Sequence, residues 1–335
     1  MRYIIIHDAD HDGYASAWLI MQHLKPEGVS SDIIETHAIR AGNNTYPEIQ
    51  KGDHVYIVDR SYSLEVLLLM SHFAAHVTVV DHHKTFLDSI YEAYKDTEHL
   101  TRVESFNAEL CSLICTVENL EIKIDTREAA CSLVRDFLNK EIMSILPGYD
   151  DFWFVNYIAD RDIWKFALPM SQEINAGIHT FPLDFNTFDK LYHGEITPEQ
   201  CEERGIGIVA YRDMLFSTMI VEAEKDKQFF FPKLKCSDHV VVAECPFSPL
   251  ISDFGSYLLK QCKENNIAIL WHHVYDLHGV RQFHYSVRSN IDTSSVAKFM
   301  GGGGHANANG FRSATIQPSA VACLYKNLLE EHYNA

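Results

Sequence analysis

Three aspartates stand at alternate positions, Asp8, Asp10 and Asp12, in the stretch IIIHDADHDGYASAW, with His7 and His11 between them and a glycine after the last. Carboxylates this close repel one another and raise each other's pKa unless hard divalent cations neutralise them. Two further apolar runs end in the same manner. HVYIVD delivers Asp59, and VTVVDHH delivers Asp81, His82 and His83. An aspartate after a strand is ordinarily a turn or cap residue, but three runs ending alike point to one shared metal cage. Mainly carboxylate ligands with imidazole and no thiolate suit Mn²⁺ or Mg²⁺ better than structural zinc, with Co²⁺ a further substitute. So many carboxylates exceed one ion's needs; two ions about 3.5–4 Å apart would serve a phosphoryl displacement. An EF-hand does not fit, because the later glycine and terminal glutamate of that loop are missing at their spacing.

Such residues need a scaffold that aims them together. Short β-branched runs (3–6, 32–37, 54–58, 77–80) alternate with helical patterns (14–23, 63–72), which predicts an α/β fold with a mostly parallel sheet. Ligands collect beyond the carboxyl ends of such strands, where these aspartates lie. Asp125 and Glu128 resemble a capping box opening a helix over 126–139, and a further helix surrounds DFWFVNYIADRDIW. Polar, helix-favouring sequence follows residue 185. The expected organisation is a catalytic domain over 1–185, a helical connector over 186–229, and a smaller α/β domain over 230–335. The latter carries strands at HVVVAEC, NIAILWHHVYDL and QFHYSVRS and a helix at SDFGSYLLKQCKEN.

A chain of 335 residues suits two cores, and 47% hydrophobic with 22% charged residues is a globular profile. No run of about 18 apolar residues exists, so a cytoplasmic protein without membrane contact is expected. None of the eight cysteines forms a C-x-x-C pair, and all read as buried reduced thiols. The formal net charge of −18 argues against long duplex DNA as a partner and leaves small anionic substrates.

In the second domain, Gly301–Gly304 would let a phosphate approach the backbone in an anion nest, the alternative being a flexible loop. Arg288, in YSVRSN, could fork a phosphate bidentately. Asn307 and Asn309 would touch sugar or base, or satisfy the loop's own backbone. Trp164, Tyr14 and Phe283 could stack a base, although aromatics near strand ends are more often core.

DADHDG, VDRS, VVDHHKT and YIADRD, in this order, resemble the four motifs of the DHH phosphoesterases, and GGGGHANANG resembles the GGGH motif that ends their DHHA1 domain. That family includes RecJ-type exonucleases, nanoRNases, enzymes acting on cyclic-dinucleotide products and family II pyrophosphatases. The resemblance implies that Asp8, Asp10 and Asp59 hold one ion and that Asp12, Asp59, His82 and Asp160 hold the other, Asp59 bridging. It further implies that Asp81 orients His82, that His83 meets the phosphate or leaving group, and that a water between the ions attacks. Arg288, Gly302, Gly303, Gly304 and His305 would grip a second phosphate from across a cleft. Asp8 stands where many relatives have histidine, and His7, on the opposite strand face, reads as packing.

The branch most similar is the nanoRNase or oligoribonuclease group. It implies Mn²⁺-dependent hydrolysis of short oligonucleotides or linear dinucleotides to mononucleotides, with a homodimer as a compatible assembly. The competitors are a nucleotide 3′,5′-bisphosphate (pAp) phosphatase, a single-stranded DNA exonuclease and, from another class, a non-catalytic scaffold of the same fold.

Overall fold

The computed structural model describes residues 2–25, 30, 33–40, 43–106, 109–142, 152–225, 240–245, 250–261, 267–276 and 278–334. The chain divides into two compact units, Met1–Ala210 and Tyr211–Ala335.

In the first unit the strands are β1 (Tyr3–Asp8), β2 (Ile34–Ile39), β3 (His54–Val58), β4 (His76–Asp81), β5 (Leu100–Phe106), β6 (Glu109–Val117) and β7 (Leu120–Asp125). The helices are α1 (His11–Leu24), α2 (Leu64–Phe73), α3 (Lys84–Tyr94), α4 (Ala130–Ile142), α5 (Trp153–Asp162), α6 (Ser171–Ile178) and α7 (Phe185–Tyr192), and α8 (Pro198–Lys225) runs past the boundary at Ala210. One sheet orders the strands β2-β1-β3-β4-β7-β6-β5. β2, β1, β3, β4 and β7 are parallel, as the strand–helix alternation predicts, while β6 and β5 close that edge antiparallel.

Helices cover both faces, so the central strands are apolar at successive positions rather than at alternate ones. Ile5 of β1 faces a core with Trp18, Val134, Phe154 and Phe188, whereas Ile4 and Ile6 face a second core with Leu67, Met70, Phe86 and Ile122. The period of two along the strand sends neighbours to opposite layers.

Two expectations need correction, and one feature is new. The antiparallel run of β5, β6 and β7 was not foreseen. Asp125 is the last residue of β7; its carboxylate accepts the Arg127 amide at 3.0 Å and no capping box forms, α4 starting only at Ala130. Residues 186–201, expected in the connector over 186–229, pack within the first unit: Phe188, Leu191, Ile196 and Cys201 are buried in its core, and buried Trp18 donates its indole N–H to Asp189 at 2.8 Å. The expected domain start at Phe230 lies outside the described residues.

The second unit contains β8 (Val240–Glu244), α9 (Ile251–Gln261), β9 (Ile267–Tyr275), β10 (Arg281–Ser289), α10 (Ser294–Phe299), β11 (Gly303–Gly304), β12 (Ala308–Ser313) and α11 (Pro318–Asn334). Its sheet runs β11-β12-β10-β9-β8, parallel only between β8 and β9. The six described cysteines are all free and five are buried; Cys323 is exposed, against expectation. No helix among the described residues is long and apolar enough to cross a membrane.

The turn from β1 into α1 depends on Gly13. A Cβ there would stand 2.2 Å from the Asp8 carbonyl oxygen, because the helix starts against the strand end that it must leave. Gly13→Ala is expected to lower unfolding stability by about 3 kcal/mol, read from denaturant melts. A change below about 0.5 kcal/mol would show that the turn relaxes freely.

Candidate metal centre

The acidic residues reach the site from the ends of β1, β3 and β4, the start of α1 and the last turn of α5. Asp8 closes β1. Asp10 caps α1, accepting the Gly13 amide at 3.0 Å. Asp12 sits in the first turn of α1 and is buried; its two oxygens accept the amides of Ala130 (2.8 Å) and Cys131 (2.7 Å) at the N-terminus of α4. Those donors have no partner within their own helix, so Asp12 caps α4 from another element and ties α1 to it.

Asp59 follows β3 with φ +56°, a left-handed conformation that aspartate tolerates better than bulkier residues. The turn directs its carboxylate to His82, whose Nε2 lies 3.1 Å from Asp59 Oδ1, 3.5 Å from Asp162 Oδ2 and 3.7 Å from Asp12 Oδ2. Four residues of four separate elements thus surround one small volume.

Their electrostatics agree with that geometry. Burial, then the neighbouring charge of Asp10, pushes the Asp8 carboxyl up to about 6. Burial also raises Asp12 to about 6, although the Cys131 and Ala130 amides oppose it. Asp59 and Asp162 rise well above the ordinary carboxylate range, first through burial and then through Asp12 and the other acids. His82 falls to about 4 because burial, and next the charge of His83, disfavour an imidazolium. A neutral imidazole among crowded carboxyls, with Asp162 Oδ2 buried and lacking a hydrogen-bond partner, is the donor set of a hard divalent cation.

Asp162, not Asp160, is the member of YIADRD that joins the cluster. Asp160 turns its carboxylate to the amides of Ala167 (2.9 Å) and Leu168 (3.2 Å), holding the loop after α5. The expected role of Asp81 also shifts. Its Oδ1 accepts the His82 backbone amide at 2.8 Å and bonds the His83 ring Nδ1 at 2.7 Å, so it orients His83 rather than the His82 ring. Burial works against charge on His83, but Asp81's charge and hydrogen bond prevail and lift it to about 9. The resulting His83⁺–Asp81⁻ pair holds Asp81 below the ordinary carboxylate range despite burial.

Sequence reasoning missed Arg60, next to Asp59 in VDRS. Buried, it places Nη1 3.4 Å from Asp8 Oδ1, donates from Nε to the Tyr62 hydroxyl at 3.2 Å and contacts the Asn43 carbonyl. Its only sequence signal is adjacency to a cluster aspartate. His7 is a packing residue, buried edge-on against Tyr14 at 4.7 Å, with Nδ1 on the Asp8 carbonyl. His11 stacks on His179, and desolvation by the surrounding protein lowers their pKa values to about 4 and about 2.

In the second unit, Arg288 lies on β10 with Nη1 on the Val287 carbonyl (2.8 Å) and Ser286 Oγ (3.3 Å), and Nη2 on Ser252 Oγ of α9 (2.6 Å). Ser252 and Ser286 hold the fork in place, and neither was singled out from sequence. The glycine run does not form the expected open nest. The Gly301 and Gly302 amides donate to Lys298 and Ala297, the His305 amide donates to Ala308, and Gly303 and Gly304 pair with Gly310 and Asn309. Gly302 is needed for packing, since its Cβ would stand 2.1 Å from the Gly310 carbonyl oxygen. Asn307 and Asn309 satisfy loop carbonyls, including those of Ser289 and His305. Tyr14 and Phe283 pack among other rings, and Trp164 contacts Phe166 and Arg161.

A parallel sheet that gathers carboxylates and imidazoles at the ends of β1, β3 and β4, followed by a smaller α/β unit, defines a two-unit protein with the DHH-domain fold. Solved structures share it. An exopolyphosphatase-related protein from Bacteroides fragilis is 12% identical, the alignment covering 99% of this chain and 92% of that one, with a TM-score of 0.51. The DHH domain of a member of a ribosomal-protein family is 13% identical over 98% of this chain and 86% of that one, also with a TM-score of 0.51. An uncharacterized protein of Acanthamoeba polyphaga mimivirus is 28% identical over 167 residues, 49% of this chain and 38% of that relative. The chain therefore matches well under two thirds of that relative's length. No protein-family profile matches the chain.

Proposed function

We propose that the protein is a divalent-metal-dependent phosphoesterase that cleaves short oligonucleotides or linear dinucleotides to mononucleotides. One observation carries this reading: Asp12, Asp59 and Asp162, all with raised pKa values, converge on neutral His82 with one buried oxygen left unpartnered. Only a bound cation relieves that arrangement without protonating it. Asp12, Asp59, His82 and Asp162 would hold one ion and Asp8, Asp10 and Asp59 a second, with Mn²⁺ the favoured metal. Such ions supply Lewis acidity and a water acidic enough to attack phosphorus near neutral pH.

The chain's own groups do the rest. His83 carries a proton at neutral pH because Asp81 holds it, so it can donate to a phosphate oxygen or to the leaving group. Arg60 shields Asp8 and fixes its direction. Arg288, aligned by Ser252 and Ser286, presents a planar fork suited to a second phosphate. The net charge of −18 favours a short substrate over a long one.

The test is Mn²⁺-dependent turnover on 5′-labelled RNA and DNA from two to about 24 nucleotides, with pAp alongside. Oligonucleotides of roughly two to five residues are expected to be cleaved to mononucleotides in preference to the 24-mer. No turnover of any of these with Mn²⁺, Mg²⁺ or Co²⁺ would remove the proposal.

A further inference from the structure

His11 and His179 come from elements far apart in sequence, the first turn of α1 and the residue that caps α6. Their rings lie nearly parallel, centroids 3.9 Å apart and planes 13° apart. Stacked imidazoles at this separation repel if both are charged. His179 is open to solvent on one side, and His11 is its only ring neighbour among the described residues. Histidines packed against protein normally satisfy a ring nitrogen with a fixed partner. Neither of these rings hydrogen-bonds another described residue, so a structural account of the pair is thin.

Its position is informative. His11 lies between Asp10 and Asp12, about 3.8 Å along the chain from each at Cα, so the stack borders the acidic cluster. Arg161 stands between Asp160 and Asp162 in the last turn of α5, the turn that brings Asp162 to the cluster. A flat aromatic surface, an arginine on the same helix turn as Asp162 and a phosphate-directed metal centre next door are the parts from which proteins build single-nucleotide sites.

We propose that the His11–His179 stack is a nucleobase platform, taking on the His179 ring the base of a nucleotide whose phosphate reaches the acidic cluster. The inference deepens the phosphoesterase reading and rests on it for the position of the phosphate. It commits the site to nucleotides over bare polyphosphate, which has no base to stack.

The experiment is equilibrium binding, with Ca²⁺ replacing Mn²⁺ to suppress turnover, of a dinucleotide bearing 2-aminopurine and of its abasic counterpart. The native protein is expected to quench the 2-aminopurine and to bind the base-bearing dinucleotide more tightly. His179→Ala should weaken that binding about 5- to 150-fold and erase the preference over the abasic probe, while His179→Phe should keep it. Equal binding of the two probes by the native protein, or a preference that survives in His179→Ala, overturns the platform. If Mn²⁺-dependent cleavage of dinucleotides is present in the same preparation, only the platform falls. If neither probe binds and no dinucleotide is cleaved, both readings fall together.

Discussion

Replacing Asp59 by asparagine is expected to lower Mn²⁺-dependent turnover by roughly 10³-fold or more and, in the metal-free protein, to raise the melting temperature. Asparagine is the informative substitute because it accepts the left-handed backbone at this position, φ +56°, as readily as aspartate does. What changes is the charge and one of the two acceptor oxygens, with the backbone and the side-chain shape kept. Asp59 lies 3.1 Å from His82 Nε2 and within the field of Asp12, Asp10, Asp162 and Asp8, so it is the carboxylate best placed to be shared between two ions. The stability effect follows from linkage. A carboxyl whose folded-state pKa is raised favours folding most below its unfolded value, and the advantage is lost as pH rises through the folded one. The metal-free variant should therefore melt higher than the native protein at pH 7 and no higher at about pH 3, where both side chains are neutral. Thermal melts in chelator at the two pH values, beside kcat with Mn²⁺, measure both halves. Turnover within tenfold of native would sink the shared-ligand role, and an unchanged melting temperature at pH 7 would mean that charge crowding is not the dominant cost.

Much of this site could be read from the sequence because parallel strands state their ends plainly. Apolar runs stop at Asp8, Asp59 and Asp81, and the chain topology brings β1, β3 and β4 side by side, so residues just past those stops share an edge. The helix-borne member was harder to place. In YIADRD two aspartates stand two positions apart, about 200° around a helix, and only one can face the cluster. A motif match does not tell which; packing of α5 does. The hairpin of β5 and β6 escaped notice because its burial is irregular and its strands pair antiparallel at a sheet edge, without the strand–helix alternation that marked the others. The glycine run looked like a phosphate nest because composition reveals freed backbone. It does not reveal that neighbouring carbonyls already take the Gly301, Gly302 and His305 amides, or that Gly303 and Gly304 pair with strand β12. Roles set by a partner distant in sequence, such as Ser252 beneath Arg288 or the α4 amides on Asp12, leave no local signature.

The choice between Asp160 and Asp162 yields the sharpest separation of a ligand from a scaffold residue. Asp162→Asn is expected to weaken Mn²⁺ binding by at least about 100-fold with little loss of fold, because its buried Oδ2 has no hydrogen-bond partner to forfeit. Asp162 is also the last residue of α5, where the carbonyl end of the helix adds negative potential to an already crowded site. Both features raise the benefit of a cation there. Asp160→Asn should do the reverse. Its carboxylate accepts two loop amides, from Ala167 and Leu168. An amide side chain offers one acceptor oxygen, so one bond is lost at a cost of about 1–2 kcal/mol, while Mn²⁺ affinity stays within a few fold. Calorimetric Mn²⁺ titration of both variants, with a denaturant melt of each, decides the matter. Loss of metal binding in the Asp160 variant with retention in the Asp162 variant would reassign the ligand. The predicted pattern would instead establish that the last turn of α5 divides its labour, one aspartate shaping the loop and the other completing the acidic cluster.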